Sequence, residues 1–251
     1  MIKKETMIIE AINRIALDTV EMVAANPYIS KTAIPGQFLH VAIQGHTLRR
    51  PISIADIDRE KETVTILFKI VGSGTEQLAA LSPGMTFNVL GPSGNGFNTA
   101  NKDKTSVLLI GGGIGVPPLY YLGKTLADID AEIISILGFQ TKANVFYEER
   151  FRELGETYIV TDDGSYGKKG FVTDIIETVG QFDSYYTCGP LPMLKAITAM
   201  LPGTPGMISL EQRMGCGVGA CMACVIPSEE PGGYKKICSD GPVFYAEEVS
   251  L

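Results

Sequence analysis

Four of the chain's five cysteines fall near its carboxyl end as Cys216, Cys221, Cys224 and Cys238, in the spacing C-x4-C-x2-C-x13-C. Thiolate sulfur is soft and polarisable, and four such ligands suit a [2Fe-2S] cluster, for which C-x4-C-x2-C and a distant fourth cysteine form an established ligand run. Gly215, Gly217 and Gly219 flank the first cysteine. Glycine tolerates the positive φ angles with which a loop wraps a cluster and turns its amide N–H groups toward sulfur. Structural zinc also takes four cysteines, usually from two C-x2-C-like knuckles, whereas the fourth cysteine here stands alone. Zinc and disulfides are the competing uses of the same residues.

A second signal is Gly111-Gly112-Gly113-Ile114-Gly115, set between the apolar run SVLLI and a helical pattern. There, backbone N–H groups and a helix start can receive a pyrophosphate, or the glycines make a tight turn that lets the helix pack on its sheet. Pro117-Pro118 departs from the G-x-G-x-x-G fingerprint but is tolerated in a first helical turn. Asp162 and Asp163, after a later strand, would repel a 2′-phosphate and favour NAD over NADP, unless Asp163-Gly164 is simply a turn. Cys188, in Thr187-Cys188-Gly189-Pro190, ends a strand where open α/β sheets bind ligands; it faces a nicotinamide or is a small buried apolar residue.

The third signal lies in the first half. Arg49-Arg50-Pro51-Ile52-Ser53 offers a guanidinium suited to phosphate and a hydroxyl suited to a heterocycle edge. Lys69, followed by Gly72, Gly74 and Thr75, offers a second anionic cradle, and two such places suggest one elongated anionic ligand. A solvated arginine pair ahead of a strand is the plainer alternative. No His/Asp/Ser constellation for acyl transfer is present, and His40 and His46 read as scaffold or surface residues.

The elements that must position these residues divide the chain. Up to about Phe97 it reads as strands, such as Phe38 to Ile43 and Val64 to Val71, separated by turns at Pro35-Gly36 and Pro83-Gly84. One helix, Thr75 to Leu81 with Thr75 as its N-cap, interrupts them. Asn98 to Thr105 is a polar connection. From Ser106 the rhythm is α/β: strands at Ser106 to Ile110, Ala131 to Phe139, Thr157 to Thr161 and Ser184 to Thr187. Helices are expected after the glycine loop and at Asn144 to Glu153, Thr173 to Val179 and Leu191 to Met200. A strand at Gly206 to Leu210 delivers the chain into the cysteines. The expected fold class is α/β plus β: an N-terminal antiparallel β-barrel over 1–100, a doubly wound parallel-sheet nucleotide domain over 101–209, and a small cluster module over 210–251.

Length and charge agree. A chain of 251 residues holds about two domains and an appendage, and 45% hydrophobic with 20% charged residues is ordinary globular composition. A net charge of −7 without a basic block argues against nucleic acid. The opening lacks the apolar run of a signal peptide, and no stretch of about 18 apolar residues could span a bilayer. No membrane association and a cytoplasmic, reducing location are expected, which also suits free thiolates.

RPIS at Arg50, GSGT at Gly72, LGPSGNGF at Leu90, GGGIGVPPL at Gly111, TCGP at Thr187 and the terminal cysteines make the chain resemble the ferredoxin-NADP reductase superfamily over essentially its whole length. SLEQRMGCGVGACMACVI from Ser209 and the short x13 gap look more narrowly like the electron transfer subunits of class 1B dihydroorotate dehydrogenases. The resemblance implies FAD bound by Arg50, Pro51, Ile52, Ser53, Leu67, Phe68, Lys69, Gly74 and Thr75. It implies a pyridine nucleotide facing Gly111 to Gly115 and Cys188, Gly189 and Pro190. Ile52 departs from the R-x-Y-S pattern common in the superfamily, so stacking on the flavin must differ. The implied partner is an FMN-containing dihydroorotate dehydrogenase catalytic subunit, in a heterotetramer with two copies of each chain, serving pyrimidine biosynthesis. Electrons would pass from that subunit through the cluster to FAD and on to NAD, because a flavin converts between single electrons and hydride. The rivals are an NAD(P)H-dependent reductase subunit for a ferredoxin, oxygenase or sulfur-metabolising partner, and a non-catalytic module with structural zinc.

Overall fold

Alternation of apolar residues in the first half builds a closed six-stranded antiparallel barrel in the computed structural model, which describes residues 1–100, 102, 104–228 and 232–251. Its elements are β1 (Lys3–Ala16), β2 (Thr19–Ala25), α1 (Pro27–Thr32), β3 (Phe38–Val41), β4 (Arg50–Asp58), β5 (Thr63–Lys69), α2 (Ser73–Ala79) and β6 (Thr86–Ser93), with strand order β1-β2-β5-β4-β3-β6. Met7, Met22, Leu39, Val41, Ile54, Val64 and Val89 turn inward and are fully buried. Period-two alternation then turns Phe38 and His40 of β3 to the outside of the barrel, toward the C-terminal segment.

The second half supplies β7 (Ser106–Gly112), α3 (Val116–Ala127), β8 (Glu132–Phe139), α4 (Glu148–Arg152), β9 (Glu156–Thr161), β10 (Lys168–Lys169), α5 (Thr173–Ile176), β11 (Ser184–Cys188), α6 (Leu191–Met200) and β12 (Gly206–Ser209). They form a sheet of order β10-β9-β8-β7-β11-β12, parallel throughout. Buried apolar clusters cover both of its faces, as a doubly wound sheet requires. Strand order reverses between β7 and β11, with Cys188 in register with Gly111, and ligands of open α/β sheets bind outside the carboxyl ends at such a point.

The last segment adds β13 (Val225–Pro227), β14 (Tyr234–Lys236) and β15 (Val243–Tyr245). The first two pair as a small antiparallel ribbon, while β15 joins the large sheet as its antiparallel seventh strand, Ile208 opposite Phe244. The Asn95 N–H donates to Gly241 O at 2.6 Å and its side chain to Asp240 O at 2.9 Å, so the LGPSGNGF loop of the barrel is stitched to the same segment. Across the other seam, Lys124 of α3 pairs with Asp56 of β4 at 2.6 Å and Tyr121 Oη donates to Ala33 O at 3.0 Å.

Four local expectations are corrected. The barrel carries a second helix, α1, which Asn26 caps by accepting the Ile29 N–H at 2.8 Å, with Pro27 in the first turn. Thr75 is not the N-cap of α2, because the helix starts two residues earlier after Gly72. Asn144 to Glu153 is not one helix: Tyr147 is left-handed at φ 64°, leaving a 3-10 turn at Lys142–Asn144 and the short α4. The helix expected over Thr173 to Val179 ends at Ile176. Among the described residues no helix is long and apolar enough to cross a membrane.

Candidate functional site

Two adjoining cavities open where the barrel, the parallel sheet and the C-terminal segment meet. The first, of about 510 Å³, is walled by Arg50, Pro51, Ile52 and Ser53 of β4, by Leu67, Phe68 and Lys69 of β5, by Thr75, and by the segment Ser209 to Met214. Antiparallel pairing makes this wall: β4 enters the barrel with Pro51 opposite His40 and Ser53 opposite Phe38. The Arg50 guanidinium donates to Leu48 O at 2.7 Å and packs on Gly74, which is buried behind the wall. Thr75 Oγ1 accepts the Val71 N–H at 2.9 Å and donates to Gly72 O at 3.0 Å, so the hydroxyl folds the GSGT loop onto the start of α2. Ile52, in the place of the superfamily's aromatic residue, joins the barrel core and also lines the cavity. A cavity with two arginines, Arg50 and Arg213, one lysine, one carboxylate and an otherwise largely apolar lining fits a flavin with its diphosphate.

The second cavity, of about 610 Å³, lies over the carboxyl ends of β7, β8 and β11, where Gly112, Gly113, Gly138, Asp162, Phe171, Gly189 and Pro190 face it. The glycine loop divides its labour. Gly113 (φ 54°) and Gly112 border the cavity, whereas a Cβ on Gly115 would fall 2.3 Å from Cys188 O and one on Gly111 would meet Val116 at 2.9 Å. The latter two glycines therefore let α3 close on the sheet. Cys188 is fully buried and is not among the cavity-lining residues; burial first, and then the nearby Glu211 charge, hold its thiol well above the usual cysteine range. The Asp pair also splits: Asp162 lines the cavity, while Asp163 accepts from Ser165 N–H at 2.9 Å and Oγ at 2.6 Å in the Asp-Gly turn.

Lys69, Ile114 and Glu211 line both cavities. The surrounding walls desolvate the Glu211 carboxyl and raise it to about 7, although its side chain keeps open contact with solvent at the cavity mouths. Sequence reasoning assigned Ser209 to Met214 to the cysteine motif and missed that Glu211, Gln212 and Arg213 wall the first cavity. It also missed Phe171, 64% exposed beside the second cavity. Two opposite charges inside the run SLEQRM were the available signal for the former.

The cysteine loop follows directly. Gly217 (φ 70°) and Gly219 (φ 77°) curl it so that Val218 N–H points at Cys216 Sγ (3.5 Å), Cys221 N–H at Cys216 Sγ (3.3 Å) and Gly219 N–H at Cys238 Sγ (3.2 Å). The Val218 amide first and then that of Cys221 lower Cys216 to about 6, whereas burial and then the Cys224 thiol push Cys238 up to about 12 against the Gly219 amide. The thiols thus gather as two pairs, Cys216 with Cys221 and Cys224 with Cys238, and none forms a disulfide. Among the described residues no three His, Cys, Asp or Glu side chains are grouped as one metal ion needs. Two thiol pairs with amides aimed at sulfur suit a two-iron cluster better than a single zinc.

A family model described as the iron-sulfur cluster binding domain of dihydroorotate dehydrogenase B matches residues 211–250. The chain is 51% identical over 244 residues to the electron transfer subunit of dihydroorotate dehydrogenase B (NAD(+)) from Shouchella clausii (strain KSM-K16), covering 94% of each chain. It is 49% identical over 258 residues to the subunit of the same name from Geobacillus kaustophilus (strain HTA426), covering 100% of each. The solved structure of an NADH-dependent reduced ferredoxin-NADP oxidoreductase, described for flavin-based electron bifurcation, matches with TM-score 0.88 at 32% identity over 97% of this chain and 89% of that one. An Amycolatopsis cytochrome P450 reductase shares the fold, with TM-score 0.68 at 24% identity over 79% of this chain and 65% of that one.

Proposed function

The chain belongs to the electron transfer subunits of dihydroorotate dehydrogenase B, and from that premise we propose that its cysteine loop and two cavities are the successive stations of the transfer. One observation carries this reading: the cavities share Lys69, Ile114 and Glu211, and the segment that walls the first of them runs straight into the cysteines. When bound, a [2Fe-2S] cluster supplies one-electron steps, NAD accepts hydride, and FAD exchanges between the two.

The residues around those groups have distinct tasks. Cys216, Cys221, Cys224 and Cys238 would hold the cluster, and the Val218, Gly219 and Cys221 amides would stabilise the negative charge on sulfur. Arg50 and Lys69 neutralise the FAD diphosphate, Ser53 meets the ring edge, and Pro51, Ile52, Leu67 and Phe68 exclude water from it. Gly74 and Thr75 shape the turn against which Arg50 is placed. Gly112 and Gly113 admit the NAD pyrophosphate to the backbone, Gly111 and Gly115 seat α3 behind it, and Asp162 faces the ribose. Gly189 and Pro190 border the nicotinamide, with Cys188 packed beneath them.

Proton abstraction from dihydroorotate belongs to a catalytic partner subunit, which we take to carry FMN and to assemble with this chain two and two. The loop around the cysteines offers Val218 and Met222, 46% and 53% exposed, as the apolar part of the docking face. The test is co-expression of the two subunits followed by purification and addition of dihydroorotate and NAD⁺. NADH formation by a flavin- and iron-containing complex supports the reading. Turnover of NADH with a soluble ferredoxin, and none with dihydroorotate, would replace it with the reductase alternative.

A further inference from the structure

His40 is a buried imidazole that the proposed transfer does not use. It lies on the outer face of β3, opposite Pro51 in the strand that lines the first cavity, and is 1% exposed. Neither Nδ1 nor Nε2 makes a hydrogen bond of good geometry, although the Cys216 and Arg49 backbones come close enough to interact with the ring. Its ring reaches the cysteine loop: an ideal Cβ on Gly217 would fall 2.2 Å from Nδ1, and Gly217 sits at φ 70° immediately after Cys216. Phe38, which lines the first cavity, meets the imidazole edge-on at 6.5 Å between ring centres. Arg49 fixes the strand by donating to His40 O at 3.1 Å and to Asn88 Oδ1 at 2.7 Å.

Buried polar nitrogens are nearly always paired, because leaving them bare forfeits their hydration with nothing in return. An imidazole wedged between the flavin strand and the first cysteine therefore points to a partner that completes the site in the loaded protein. Besides the Arg49 backbone, the ring faces the Cys216 backbone and the loop that would fold round the sulfur-rich group, and hydrogen bonds in that shell set iron-sulfur potentials.

We propose that His40 is a positioning residue for the iron-sulfur group: seated under Gly217, its imidazole hydrogen-bonds the loaded cluster loop, holds that loop at a fixed distance from the flavin strand, and sets the one-electron potential of the cluster. The proposal rests on the assignment of Cys216 and its three companions as iron ligands. The two fail differently, since a chain without iron defeats the assignment, whereas a loaded chain indifferent to position 40 defeats only the role of His40.

The test uses the full chain loaded with FAD and iron, titrated with dithionite and followed by EPR. His40→Leu, of similar bulk but without donors, is expected to change the one-electron equilibrium at least about threefold, roughly 28 mV at 59 mV per tenfold. His40→Gln, which restores a donor and an acceptor, should return most of the change. An unaltered potential in His40→Leu with full iron and FAD overturns the proposal, as does an equal shift in both variants. Should these variants fail to load, the wild-type chain grown with 15N-histidine serves instead, because it holds only two histidines. Pulsed EPR of the reduced cluster should then show a weak 15N coupling that persists in His46→Gln; absence of that coupling overturns the proposal.

Discussion

The guanidinium of Arg50 lies against Gly74, so closely that a Cβ on the glycine would fall 3.0 Å from Nη2 and 3.3 Å from Cζ. Arginine at the start of β4 and glycine in the first turn of α2 thereby fix one cation at the wall of the first cavity. Arg50→Ala removes charge-assisted bonds to phosphate worth about 1.5–3 kcal/mol, so FAD should be held roughly 10- to 100-fold more weakly. Gly74→Ala displaces the guanidinium without deleting its charge and should cost less. Flavin fluorescence released on dilution measures both, and full retention in Arg50→Ala would remove this residue from the FAD site.

The paired thiols predict a common outcome from either half of the cluster. Cys221→Ser and Cys238→Ser each break one pair, and both should abolish the broad iron-sulfur absorption and the bound iron while the flavin bands remain. In the metal-free chain the order of alkylation should follow burial: Cys216 and Cys221 react first, ahead of Cys224, Cys238 and Cys188, which are 2%, 0% and 0% exposed. Mass spectrometry of iodoacetamide-treated protein reads the order. Zinc in place of iron in the purified chain would overturn the cluster assignment.

Gly115 approaches Cys188 more closely than a side chain permits. Its backbone is unstrained at φ −77°, so the 2.3 Å approach of a Cβ to Cys188 O is a purely steric matter. Gly115→Ala must push α3 away from β11, overpacking of a kind that costs about 1–3 kcal/mol. The melting temperature should fall by about 2–10 °C, and NADH binding should weaken while FAD content is kept. Calorimetry with NADH checks the second part; unchanged affinity would show that the loop tolerates the shift.

The architecture was legible where the pattern is dictated by burial on a regular period. Strands β7 and β8 are largely apolar and β11 is buried along its whole length because both faces of the sheet are covered, and α6 was bounded by Pro190 before it. The cysteines were legible because ligand spacing is itself chemistry. What escaped depended on long-range contact. Nothing local distinguishes Gly115, which meets Cys188, from Gly113, which borders the cavity. Glu211 was invisible as a cavity residue because its neighbours in space come from β5 and the glycine loop. Tyr147 broke its helix through a left-handed backbone held by burial and by its hydroxyl bond to Glu21 of β2, a partner far away in sequence.

Glu211 gives a pH signature of known sign. Desolvation by the cavity walls raises its carboxyl from the ordinary 4.5 to about 7 in the folded chain, and the solvent that reaches this exposed side chain keeps the effect small. Between those values the folded chain keeps a proton that the unfolded chain has released, so fewer protons are bound after unfolding and stability must fall as pH rises. Glu211→Gln has no such proton to lose. In the chain without cofactors, the stability of wild type relative to Glu211→Gln should therefore decline from about pH 4.5 to about pH 7 and be level below that interval. Urea unfolding of both proteins across the range measures the difference directly. A rising or flat difference would mean that solvent at the open cavities cancels the upward shift, and that the Glu211 charge is free to face the ligands there.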